Sequence, residues 1–389
     1  MEVQKNQPLL QPVHLGELPL NNRIAMASMT RGRVKNPGIA PTELQARYYV
    51  QRATAGLILA EGTWISKQAI GYAHVPGIFT DEQVAGWQRV TDAVHGAGGK
   101  IFLQLGHAGS ISHPDFMDGE IPVGPSAVNP NFTAFLPTGP QPTITPRALG
   151  KAEIRQVVLD FRRAAQNAVK AGFDGIEIHA QHPSLISQFL SDTLNRREDE
   201  YGGSIPDKAR FLFEVLEAVT EVWGSRRVSV RINPFLSYSG RVAEPEPTLP
   251  TYAYVAEELN AYDLAFLHLM DRPEPGVRPE VHRQRKVFEM FRPLYKGLLM
   301  ANGGFTRETA NELLRSGTAD LVSFGSLYIA NPDLVYRFAH QLPLAAPDPA
   351  TFFTGDENGY TDYPPVDPGV SPGTPRKTVT DLTDSFRPI

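Results

Sequence analysis

The residues best placed to do chemistry in this chain converge on one stretch, FDGIEIHAQHPSLISQFL. Two imidazoles, His179 and His182, stand three positions apart just beyond a short run of branched apolar residues. On a helical turn such a spacing puts both on one face. Three chemistries are open to the pair. A metal site needs a third ligand, which the neighbouring sequence does not offer, and the chain has no cysteine to supply one. Structural hydrogen bonding in the core is the commoner fate of a histidine, and residue type alone favours it. The third is a pair of N–H donors converging on one substrate oxygen.

Other polar and small residues recur at the ends of apolar runs. The first run ends in Ser28, Met29 and Thr30, the second in Glu61 and Gly62, and the third in Gln104, Leu105, Gly106 and His107. Arg231 lies in the fifth, Asn302, Gly303 and Gly304 follow the seventh, and Gly325 and Ser326 follow the eighth. Glycines at 303, 304 and 325 would let backbone N–H groups approach a phosphate, helped by a helix starting near Thr306. They would equally serve tight turns, and both readings stay open. The run Gly96-Ala97-Gly98-Gly99-Lys100 mimics a phosphate loop but follows a helix and precedes a strand, the reverse of the order that motif requires.

The elements behind these ends are eight short runs: 24–27, 56–60, 100–104, 175–178, 228–232, 264–268, 298–301 and 321–324. Helical patterns separate most of them. The clearest spans 151–171, with Ile154, Val157, Val158, Phe161, Ala165, Ala168 and Val169 on one face and Gly172 as its cap. Another covers 207–222, with Ser204 as N-cap and Pro206 near its start. Eight strand–helix repeats predict an α/β fold of the (β/α)8 TIM-barrel type, where chemistry sits at the strand C-termini. An open doubly wound sheet usually has fewer strands and often a glycine-rich first turn, absent here. The barrel is expected over 1–365, with residues 1–20 plugging its bottom. A lid-like insertion at 111–149 is rich in Pro and Gly, and a proline-rich tail covers 366–389.

Composition narrows the class. Absence of cysteine excludes disulfide scaffolds, iron–sulfur clusters and thiol nucleophiles. With 37 basic and 42 acidic side chains the chain has no basic excess, so nucleic acid is not an expected partner. No apolar run is long enough to span a membrane, and the N-terminal residues lack a signal-peptide pattern, so a cytoplasmic protein, monomer or homodimer, is expected. Its partner would be a small-molecule substrate.

The chain also resembles the old yellow enzyme family of flavin-dependent ene-reductases. The likeness runs through NNRIAMASMTRGR, AEGTWISKQAIGYAHVPGIF, LQLGHAGSISHPDF, FDGIEIHAQH, SQFLSDTLNRREDEYGGS, VSVRINP, LAFLHLMDRP, ANGGFT and FGSLYIANPDL. It implies an FMN site, with NADPH or NADH as reductant. Ser28, Met29 and Thr30 would lie under or beside the ring, with Gln104 at its pyrimidine edge, Arg231 near N1 and O2, and Gly62 leaving room. Gly303, Gly304, Gly325 and Ser326 would hold the phosphate. His179 and His182 would polarise the carbonyl of an activated alkene. Tyr72, Gly106 and Phe353 would contact substrate.

Four departures accompany the resemblance. Ser184, preceded by Pro183, stands where the family has a tyrosine proton donor, and Gly106 where tryptophan is common. Phe353 replaces a pocket tyrosine, and Ser326 an arginine that pairs with phosphate, leaving Arg307 as a nearby cation. The resemblance thus implies transfer of hydride from NAD(P)H through FMN to an α,β-unsaturated carbonyl, with Ser184 at the donor's position. Alternatives are a flavin-dependent isomerase, dehydrogenase or cyclase acting on a bulky metabolite, and a flavin-binding protein without catalysis.

Overall fold

The computed structural model describes residues 7–234, 248–271 and 281–369. Eight parallel strands form the barrel, β1 (Ile24–Met26), β2 (Leu57–Leu59), β3 (Ile101–Gly106), β4 (Gly175–His179), β5 (Val228–Ile232), β6 (Phe266–Met270), β7 (Leu299–Asn302) and β8 (Leu321–Phe324), and the short strand Thr63–Trp64 joins the same sheet beside β3. Each pairs with the next, and β8 returns to β1 through Val322 opposite Ile24, closing the barrel. The eight runs expected from sequence are these eight strands. They read as runs, without alternation, because every residue of β1, β2, β3, β5, β7 and β8 is buried.

Helices follow the strands in turn: α1 (Glu43–Val50), α2 (Asp81–Gly96), α3 (Lys151–Lys170), α4 (Ile205–Trp223), α5 (Thr248–Glu258), α6 (Val281–Phe291), α7 (Arg307–Arg315) and α8 (Leu334–His340). Several of their starts are capped, that of α4 by Ser204 as the sequence predicts. Thr42 and Thr80 close capping boxes, and the Ser204 hydroxyl accepts from the Asp207 N–H. On α3, Ile154, Val157, Phe161, Ala165 and Ala168 are buried as the pattern predicts, joined by Ala164. Val169 is 49% exposed instead, because it directly follows buried Ala168 and so stands about 100° round the helix from the barrel-facing side.

Chain segments outside the repeat shape both barrel ends. Val13–Leu15 and Leu18–Leu20 form a hairpin. Its Val13, Leu15, Leu18 and Leu20 cluster with Leu57, Phe102, Phe266 and Leu321, at the strand starts, and so plug the barrel's N-terminal end. At the other end, the 111–149 insertion carries its own antiparallel hairpin, Thr133–Leu136 with Gly139–Pro142. The Phe135 carbonyl accepts from Ala73 N–H, stitching that hairpin to the loop after β2. The tail docks before its described part ends. Tyr360 stacks on Tyr48 at 3.9 Å, Arg31 donates to the Gly359 carbonyl and Arg33 to that of Thr351. The tail expected over 366–389 is described only to 369. Within that part Val366 and Asp367 donate backbone N–H groups to Asp333.

Candidate active site

A cavity of about 1640 Å³ opens at the C-terminal ends of the strands. Ser28, Thr30, Gly62, Gln104, Gly106, His179, His182 and Arg231 form its floor, and Tyr72 and Phe353 line its wall. The parallel barrel brings the floor together because each of its residues lies in the C-terminal part of a strand or just beyond it, and all the strands end at the same rim.

Burial and fixed charge set the protonation of this floor. Arg231 is 4% exposed. It donates to the Asn302 Oδ1 at 3.2 Å and to the Ser28 carbonyl at 3.4 Å, while its Nε has no protein partner. Burial lowers the proton affinity of the guanidinium and Glu177 opposes that, so the group keeps its charge. A buried N–H aimed at no protein acceptor indicates an acceptor from outside the chain. Burial, seconded by Arg231, pushes the His179 imidazole down to about 3, and burial pushes His182 down to about 4. Both rings are therefore neutral at physiological pH, each with one N–H to donate. The Asn233 Oδ1 accepts from the His182 backbone N–H at 2.8 Å and anchors that turn.

Ser184 does not reach the cavity. The His182–Pro183 peptide is cis, and Ser184 caps the short helix Leu185–Phe189, its hydroxyl accepting from Ser187 N–H at 3.3 Å. The residue is 3% exposed and is not part of the cavity lining. An N-cap side chain folds back on its own helix, and that geometry turns this hydroxyl away from the floor.

Met29 lies beside the floor and packs against Gly325, where an added Cβ would sit 3.4 Å from its sulfur. Gly303, Gly304, Gly325 and Ser326 fall outside the cavity lining, at the ends of β7 and β8. Gly304 has a φ of 73°, and a Cβ at Gly303 would stand 2.2 Å from the Asp271 carbonyl, so backbone packing alone requires glycine at both. Ser326 opens the five-residue helix Ser326–Ala330. Arg307 pairs with Glu308 at 2.6 Å. Among the described residues no cluster of three or more His, Asp or Glu side chains is arranged to hold a metal.

Aromatic walls were less visible in sequence. Trp64 lines the cavity and stacks on Tyr72 with ring centroids 6.2 Å apart. Tyr72 in turn stacks on Phe135 at 6.1 Å, and Phe132 meets the His182 ring edge-on at 5.9 Å. The position of Trp64, two residues past Gly62 in an extended segment, was the available signal, since alternate side chains share a face. Gly106 leaves this corner open: a Cβ there would come no nearer than 3.6 Å to the His179 Nδ1.

Flat aromatic walls over a polar floor with one fixed cation fit a planar cofactor that gathers negative charge on reduction. The orphaned Arg231 Nε and the cradle at Gly62, where a Cβ would crowd the Gln104 oxygen to 3.2 Å, are the two features that fit a flavin ring. Fold and floor together fit a barrel oxidoreductase that uses a flavin.

Comparison with known proteins agrees. Residues 8–345 match the model of the NADH:flavin oxidoreductase / NADH oxidase family. The 12-oxophytodienoate reductase 7 of Oryza sativa subsp. japonica is 40% identical over 379 residues, covering 93% of this chain and 95% of its own. A probable flavin mononucleotide-dependent alkene reductase of Leishmania infantum is 41% identical over 364 residues, covering 92% and 97%. The solved structure of morphinone reductase superposes with a TM-score of 0.87 at 43% identity, over 94% of this chain and 98% of that one. The chain belongs to the NADH:flavin oxidoreductase / NADH oxidase family, of old yellow enzyme type, and is an FMN-dependent oxidoreductase that draws on a reduced nicotinamide nucleotide.

Proposed function

We propose that this enzyme reduces the C=C bond of an α,β-unsaturated carbonyl compound. The observation that carries the reading is the pair of neutral imidazoles, His179 and His182, on the floor of one aromatic-walled cavity with Arg231. Each offers an N–H to the carbonyl oxygen. As hydride adds to the β-carbon, charge grows on that oxygen, and donors fixed in advance stabilise it more than they stabilise the substrate. FMN, when bound, supplies the hydride after reduction by the nicotinamide nucleotide. Ser28, Met29, Thr30, Gly62, Gln104 and Arg231 would hold its ring, with Arg231 meeting the charge it acquires. Gly303, Gly304, Gly325 and Ser326 would meet its phosphate. Tyr72, Gly106 and Phe353 would shape the substrate space. The relatives named as reductases support the same reading.

The proton for the α-carbon would come from water in the cavity, because Ser184 is buried outside the cavity lining, engaged as the cap of its own helix. That engagement also favours a second reading, a redox-neutral isomerisation on the same floor. Product mass after incubation with NADPH and 2-cyclohexenone separates them. Saturated ketone formed with matching NADPH consumption supports reduction. Persistent NADPH with an isomerised or unchanged enone, across a panel of enones, would contradict it.

A further inference from the structure

Beneath the cavity floor a chain of buried side chains crosses the barrel interior. Ser323 Oγ lies 2.8 Å from His268 Nε2, and His268 Nδ1 lies 2.6 Å from Glu177 Oε2. The other Glu177 oxygen accepts from Gln104 Nε2 at 2.8 Å, and Ser28 Oγ donates to Gln104 Oε1 at 2.9 Å. Glu177 and His268 are fully buried, and Gln104 and Ser323 nearly so. None of Glu177, His268 or Ser323 lines the cavity, so their work is on Gln104, which does.

The charges along this chain can be assigned. Burial alone would push the Glu177 carboxyl up, but His268, Arg231 and the Gln104 amide outweigh it and hold it below its ordinary value. Burial, with Arg231 acting the same way, lowers the His268 imidazole despite the facing carboxylate. A neutral ring with its proton on Nδ1 satisfies both neighbours: it donates to Glu177 and accepts from the Ser323 hydroxyl. Glu177 is then an acceptor on both oxygens, and an ionised carboxylate tolerates only the NH2 face of Gln104 opposite it. The amide cannot flip. Its oxygen is thereby fixed on the far side, next to Ser28 and the space left by Gly62. That face suits the ring N–H of a flavin's pyrimidine edge.

We propose that Glu177, clamped by His268 and Ser323, is a positioning residue that locks Gln104 with its oxygen toward the bound flavin and, through its charge, helps set the flavin's reduction potential. The proposal depends on FMN binding alone and is independent of which substrate is reduced.

The test compares Glu177→Gln with wild type in apoprotein reconstituted with FMN. Three quantities are read: the dissociation constant of oxidised FMN, the midpoint potential of the bound flavin, and thermal stability. A glutamine at 177 no longer dictates the amide's orientation and removes a negative charge beneath the ring. Oxidised FMN should bind about tenfold more weakly while the reduced, anionic form loses less. Each tenfold difference between the two forms raises the potential by about 30 mV. Met300→Leu, an interior packing change in the same barrel, should move neither quantity. A folded Glu177→Gln protein with wild-type affinity and potential overturns the proposal, as does an equal shift in Met300→Leu. If Glu177→Gln fails to fold, Ser323→Ala cuts the far end of the chain. It should shift the potential in the same direction by less, and no shift would overturn the proposal.

Discussion

At the scale of single residues, what distinguishes His179 and His182 from ordinary core histidines is a place on a cavity floor while remaining neutral. Removing one oxyanion-type donor costs roughly 10²–10³ in rate. His179→Ala or His182→Ala should therefore slow reoxidation of the reduced enzyme by 2-cyclohexenone by about that factor while FMN stays bound, as stopped-flow absorbance would show. Ser184→Ala should leave that rate unchanged but lose a helix cap, lowering stability by about 1 kcal/mol in thermal unfolding. The identity of position 184 was legible in the sequence, but its direction was not. The backbone turn at Gln181–Leu185, with the Ser184 N–H donating to the Gln181 carbonyl, decides where the side chain points.

Protonation gives a second prediction at this scale. His107, His179 and His182 titrate in the folded protein near 3, 3 and 4, each lowered chiefly by burial. The unfolded chain, with histidines near 6.5, binds more protons over the intervening range, so these groups withdraw stability as pH falls below about 6.5. Glu61, pushed up to about 7 by burial, acts in the opposite sense between about 4.5 and 7. Three groups against one predict a Tm that falls between about pH 6 and 4. His107→Asn should flatten that fall in calorimetry; an unchanged slope would count against the assignment.

At the scale of elements, strands were easy to read and the insertion was not. Strands buried on both faces leave continuous apolar runs. The hairpin at 133–142 includes Pro140 and Pro142, which argue against a strand except at an exposed edge, where three of the four residues of Gly139–Pro142 do lie. Its function is legible only in three dimensions, where Phe135 reaches the Tyr72 ring. Phe135→Ala should raise KM for bulky enones more than for 2-cyclohexenone, with kcat little changed. Equal effects on both would deny the hairpin a role in shaping the substrate space. The tail shows the same limit. Tyr360 and its neighbours dock, and their partners, Arg31, Arg33 and Tyr48, come from the loop after β1 and from α1, far away in sequence. Tyr360 is fully buried in that stack, so Tyr360→Ala should cost about 3–5 kcal/mol in denaturant unfolding.

At the scale of the whole molecule, closure of the barrel explains why residues from position 28 to position 231 meet on one floor. A parallel barrel gathers all its strand C-termini at one rim, so side chains from strands far apart in sequence share one site. The same closure creates the dry interior that holds Glu177, His268 and Ser323. No helix among the described residues is long and apolar enough to cross a membrane.

The most direct measurement is anaerobic. The FMN-loaded enzyme is reduced with one equivalent of NADPH and mixed with 2-cyclohexenone, while the oxidised-flavin absorbance and the product are followed together. The account predicts that absorbance returns and cyclohexanone forms in equal amount, with both slowed in the His179→Ala and His182→Ala proteins. A flavin that stays reduced in the presence of this and larger enones, or one whose reoxidation is indifferent to both histidines, would contradict it.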